Sequence, residues 1–181
     1  YPTGRGKCDL VLRGRDFKPE FGLVAYEWGI ENKYVRFIGD NGKNNDYGVT
    51  KVVSPYRKDR SSVLDAERLR SFSIAERKAI LMYGFEFDSE SHMKALQWCH
   101  DNQVNGDQSK NLERVKNMKV VLDKADPKTH EMSMRDLIPL FEAAAKTKGI
   151  NLGPCFEQEF QGLTAHPLYH RGRILAWEVF E

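Results

Sequence analysis

The sequence predicts a domain of the α/β or α+β class, a mixed central sheet flanked by helices. Two observations predict it. Short runs rich in β-branched and aromatic residues alternate with segments of helical spacing, in the order β, β-β, α, β, α, (α), α, β, β. Apolar content is also sufficient for a packed core: 40% of residues are hydrophobic and 11% aromatic.

Each element has its own warrant. Residues 1–7 are turn-like and basic, and Cys8 to Leu12 forms a short apolar run suited to a buried strand. Charges, Gly14 and Pro19 mark 13–20 as a turn. Phe21 to Phe37 is aromatic and β-branched, either one long strand kinked at Gly29 or two strands of a meander. Residues 39–48 form a polar loop with an Asn41-Gly42 turn signal. Val49 to Tyr56 reads as extended, stopping at Pro55. Residues 57–72 read as a helix that Ser61 or Ser62 caps, with Leu64, Leu69 and Phe72 near one face. Arg77 to Phe87 is the clearest strand, and Ser91 to His100 a short amphipathic helix that gathers Met93, Leu96 and Trp98. Residues 101–131 are polar, an insertion with a helical middle. Ser133 to Lys148 is a helix that Pro139 kinks and Gly149 ends. Phe156 to Leu163 and Ile174 to Phe180 are the last strands. Residues 8–12, 22–36 and 78–85 are expected as neighbouring strands of one sheet.

At 181 residues the chain fits one domain, at roughly 100–200 residues each. It starts at Tyr1 rather than Met, as a fragment or a processed form does. No apolar run approaches the ~18 residues of a membrane span, and nothing reads as a signal peptide. Formal charge is +2, so net charge alone does not imply a nucleic-acid partner. Cys8, Cys99 and Cys155 form no CxxC pair. A disulfide framework or zinc ribbon is therefore disfavoured, and a reducing cytoplasm is the expected compartment.

The chemistry concentrates on Asp9, Glu31 and Lys33. Asp9 sits inside an apolar run, where a lone carboxylate is costly to bury. Glu31 and Lys33 are two apart on an expected strand, so a period of two puts both on one face. Two acids on neighbouring strands suit Mg²⁺, which takes oxygen ligands and keeps several waters. Lys33 would then orient or help deprotonate the attacking water. Glu27 is the competing acid, since Glu27, Gly29, Glu31 and Lys33 share one face of an unbroken strand. A purely structural role is the rival account, with Asp9 paired to Arg13 or Lys33. Arg57, Lys58 and Arg60 lead into the first expected helix, with Arg68 and Arg70 further on. Basic side chains at a helix entrance suit phosphate contacts, although Asp59, Asp65 and Glu67 dilute the patch.

Asp9 followed by Glu31-Asn32-Lys33 resembles the PD-(D/E)xK superfamily of restriction-endonuclease-like nucleases. The stretch from SPYRKDRSSVLDAERL through RKAILMYGFE to AWEV is also similar, more loosely, to a group of bacterial nuclease-like proteins. The resemblance implies a restriction-endonuclease-like sheet and metal-dependent cleavage of DNA, in restriction, defence or repair. It implies Mg²⁺ (or Mn²⁺) on Asp9 and Glu31, Lys33 serving the water, and a homodimer. Two departures from the family pattern stand out. Cys8 occupies the usual proline position, and the chain has no room before Asp9 for the acid-bearing helix that many members carry. A non-catalytic nucleic-acid or protein-binding module on the same fold is the alternative implication.

Overall fold

A computed structural model of the chain describes residues 8–18, 24–38, 45–56, 61–73, 75–104, 115–116, 118–120, 122–123, 133–162, 169 and 171–181. The strands are β1 (Leu10–Leu12), β2 (Tyr26–Arg36), β3 (Ala75–Glu86), β4 (Asn151–Leu152), β5 (Phe156–Gln161) and β6 (Arg171–Phe180). The main helices are α1 (Asp46–Val53), α2 (Ser62–Arg70), α3 (Ser89–Val104) and α4 (Leu137–Thr147). Together they form a mixed α+β architecture, a six-stranded sheet flanked by helices.

The sheet runs β1-β2-β3-β6, with β4 and β5 both paired to β6. β1 and β2 are antiparallel, β2 and β3 parallel, and β3 and β6 antiparallel. The three strands expected as neighbours are neighbours. They do not form a simple meander, because α1 and α2 lie between β2 and β3 and return the chain to the same end of the sheet. β2 is unbroken across Gly29, which is buried with an Ala75–Phe72 wall 3.2 Å from where a Cβ would stand. Gly153, Pro154 and Cys155 separate β4 from β5, one residue more than β6 sets against them, so the strand bulges where proline offers no donor.

One sheet face carries the main core. Val35, Ile80, Met82, Leu175 and Trp177 meet Val49 and Val53 of α1, Val63, Ala66 and Leu69 of α2, and Phe141 and Ala145 of α4. α3 belongs to a second cluster, where Ala95 and Cys99 meet Ile38, Phe87, Val115, Leu122 and Tyr169. Next to the main core, Arg173 is nearly enclosed and binds Glu86, Glu157 and Glu159, while Glu86 also accepts the Met134 amide at 3.0 Å. No helix among the described residues is long and apolar enough to cross a membrane.

Several expectations are corrected. The stretch 49–56 is not extended: 46–53 is helical, because burying Val49 and Val53 on one helical face outweighs the β preference of a valine-rich run. The same helix takes in Asp46 to Gly48, the end of the polar loop expected over 39–48; residues 39–44 of that loop lie outside the described residues. β1 is not buried, since Leu10 and Leu12 are over 40% exposed on the face away from the main core. In α3 the buried pair is Ala95 and Cys99, four apart, whereas Met93 and Leu96 are exposed. Pro139 stands in the first turn of α4, where its missing N–H costs no helical bond. Gly149 ends that helix at φ +62°, the left-handed conformation glycine adopts without strain. Most of 101–131 falls outside the described residues, but Val115 and Leu122 are core positions.

Candidate active site

The β1–β2 register sets Leu10 opposite Ile30, so Asp9 stands beside Glu31 at the mouth of the strand pair. Asp9 Oδ2 accepts the Asn32 backbone N–H at 3.0 Å. Cys8 ties down the same corner by donating its thiol to the Ile30 carbonyl at 3.1 Å, and burial pushes that thiol up. Cys8 thus anchors the start of β1.

Glu31 and Lys33 project from β2 toward the helices, on the face that buries Val35. Their neighbours on β3 are Ile80 and Met82, both fully buried. α2 roofs this region. Ser61 caps the helix by accepting the Val63 amide at 3.2 Å, and Ser62, Asp65, Ala66 and Leu69 form its buried stripe. Asp65 is therefore carried inward with the apolar residues. Its Oδ2 lies 2.6 Å from Lys33 Nζ, and its Oδ1 accepts from the Arg68 guanidinium. The Lys33 contact is close but lacks hydrogen-bond alignment, so attraction of charge holds it.

Glu31 is 5% exposed, and its carboxyl is pushed up to about 7. Burial is the largest cause. The charges of Asp9 and Asp65 and a side-chain hydrogen bond with Asp9 add to it, and Arg68 opposes it. A carboxyl crowded by two others keeps its proton until a cation replaces it. The donors fit Mg²⁺, which is commonly held by one or two carboxylates and otherwise by water. Among the described residues no group of three or more His, Cys, Asp or Glu side chains is placed to hold a metal ion. Asp9 and Glu31 are the pair suited to a hydrated ion.

The structure thus brings Asp9 and Glu31 together, sets Lys33 on the same face, and adds Asp65, which the sequence reasoning missed. The missed signal was local: an acid three residues after Ser62, next to Ala66 and in line with Leu69, on a stripe that is otherwise apolar or small. Glu27 shares the face of Glu31 but stands four residues away, about 13 Å along the strand. Its Oε2 accepts the Gly14 amide at 3.3 Å, which commits it to the turn after β1. The expected phosphate contacts Arg57, Lys58 and Arg60 lie outside the described residues. Arg70 is engaged elsewhere, donating to the Gly149 carbonyl at 2.8 Å. No protein-family profile, curated protein or solved structure matches this chain.

A pH prediction follows from Glu31. Its proton is held more tightly folded than unfolded, so the stability it contributes is complete below pH 4.5 and is lost as pH rises through about 7. The loss is about 3 kcal/mol. Urea unfolding of the wild type and Glu31→Gln, from pH 4.5 to 8, should show the variant gaining on the wild type by that amount. Parallel curves would mean that Glu31 is not crowded. A divalent ion held by this carboxyl would have to displace its proton, so its binding should weaken about tenfold per pH unit below about 7.

Proposed function

We propose that this protein is a Mg²⁺-dependent nuclease domain with a restriction-endonuclease-like fold, hydrolysing phosphodiester bonds of DNA. The observation that carries the reading is the pairing of Asp9 with the buried carboxyl of Glu31, with Lys33 two residues on and on the same strand face. Two crowded carboxylates beside an amine are costly in a merely structural role and suited to a divalent ion and an anionic substrate. The parallel β2–β3 pair and its helical crossover set this cluster beneath α2, midway along β2 and next to the edge strand β1.

In this reading Asp9 and Glu31 hold the ion, with Mn²⁺ able to replace Mg²⁺. The ion, when bound, supplies Lewis-acid polarisation of a phosphoryl oxygen. Lys33 Nζ orients the attacking water by donating a hydrogen bond to its oxygen. The water oxygen bonds to phosphorus and releases a proton to solvent, one P–O ester bond breaks, and the departing oxygen takes a proton from solvent. Asp65 keeps Lys33 directed toward the site.

The test is direct. The purified protein should cut supercoiled plasmid or linear duplex in Mg²⁺ or Mn²⁺ and leave it intact in EDTA. Uncut DNA at every metal concentration, or cutting that survives EDTA, overturns the reading. DNA binding without cutting would instead favour a non-catalytic module.

A further inference from the structure

We propose that Arg68 is the residue of this site that binds the phosphate of its DNA substrate, aimed there by the buried Asp65 it shares with Lys33. This rests on the nuclease reading and names a substrate contact for it.

The geometry separates this pair from an ordinary surface bridge. An Asp–Arg pair three residues apart on a helix normally lies with both partners in water and contributes a few tenths of a kcal/mol. Here the Asp65 side chain is 3% exposed while that of Arg68 is 55% exposed. A buried anion thus holds one edge of a guanidinium whose remainder faces solvent. The other oxygen of the same carboxylate meets Lys33 Nζ, so two cations stand one carboxylate's width apart at the mouth of the Asp9–Glu31 pair.

Formal charge gives the arrangement a purpose. Asp9 and Asp65 balance Lys33 and Arg68, so with Glu31 neutral the metal-free site has no net charge to attract a phosphodiester. A divalent cation together with an ionised Glu31 brings the site to one net positive charge, which a singly charged phosphodiester neutralises. Guanidinium N–H groups still facing water match phosphate oxygens in geometry. Arg68 is therefore suited to receive substrate once metal is in place. Arg70, two residues on, already donates to Gly149.

The experiment measures binding of a fluorescein-labelled duplex DNA by anisotropy across a salt series, with Ca²⁺ in place of Mg²⁺ to hold cleavage back. Arg68→Ala should weaken binding roughly tenfold and lower the slope of log affinity against log salt by about one. Arg68→Lys should retain the slope, because the charge remains, while losing part of the affinity. Arg77→Ala should change neither, since Arg77 is paired with Glu178 and stacked on Trp28 on the opposite sheet face. A wild-type slope in Arg68→Ala, with wild-type protein binding DNA, overturns this proposal and leaves the nuclease reading standing. Wild-type protein that binds no duplex in Ca²⁺ overturns both.

Discussion

Glu31→Gln should abolish Mg²⁺-dependent cleavage and Mg²⁺ binding together while leaving the protein folded. The amide keeps the shape of the side chain and removes the charge that holds the ion. Because burial and neighbouring acids favour the neutral Glu31 carboxyl, the amide resembles the form the fold prefers, so stability should match the wild type near pH 4.5, gain on it between pH 4.5 and about 7, and exceed it by a constant amount above that. Asp9→Asn should lose metal binding in the same way. Its Oδ2 accepts the Asn32 amide, a bond that the amide oxygen of asparagine can reproduce. Lys33→Ala should separate the two roles, retaining Mg²⁺ binding by calorimetry while cleavage falls about 10²–10⁴-fold, the usual contribution of a positioned proton-transfer group. It also leaves Asp65 buried with Arg68 alone, so a modest loss of stability is expected there. Full cleavage by Lys33→Ala, together with unchanged Mg²⁺ binding by Glu31→Gln, would sink the catalytic assignment.

The largest stability effect should come from Arg173. Its guanidinium is 6% exposed and binds Glu86 at 3.1 Å, Glu159 at 2.8 Å, and Glu157. It crosses from β6 to β3 and β5, so one side chain links three strands. Arg173→Met preserves much of the apolar stem but strands Glu86, which is 2% exposed. Removing one partner of a buried ion pair typically costs about 3–5 kcal/mol, because the remaining charge is left without water or counter-ion. Arg171 is a poor substitute, its Nε being 3.5 Å from Glu86. Urea unfolding at pH 7 measures the effect, and a shift below about 1 kcal/mol would show that the network is hydrated. Glu86→Gln in the Arg173→Met background should recover part of the loss, since the stranded charge is gone and the Met134 amide keeps an acceptor.

Local pattern carries far in this protein. β2, β3 and β6 are dense in β-branched, aromatic and apolar residues and stand where that composition puts them. Ser61 caps α2 and Gly149 ends α4 by short-range backbone chemistry that needs no distant partner. The spacing of Glu31 and Lys33 also puts both on one strand face without any knowledge of the rest of the chain. The residues 46–53 show the limit of such reasoning. A valine-rich run prefers a strand by propensity, yet it becomes a helix because helical spacing is what brings Val49 and Val53 into the core together.

The composition of the candidate site divides in the same way. Asp9, Glu31 and Lys33 are legible because strand periodicity is strict and a carboxylate in an apolar run is conspicuous. Which acid joins Asp9 is set by pairing register: Glu31 lies opposite it, whereas Glu27 bonds the Gly14 amide, and a strand's own residues do not reveal its register to another strand. Asp65 carries only a weak local signal, an acid on an otherwise apolar or small stripe of α2, and its partner Lys33 lies 32 residues earlier. Only the packing of α2 over β2 turns an acidic residue of a mixed helix into a buried anion between two cations. The sequence by itself therefore determined the local elements and the chemical identities of the acids and the amine. The tertiary structure decided which charges meet, because desolvation and Coulomb energy depend on distance through space and not on separation along the chain.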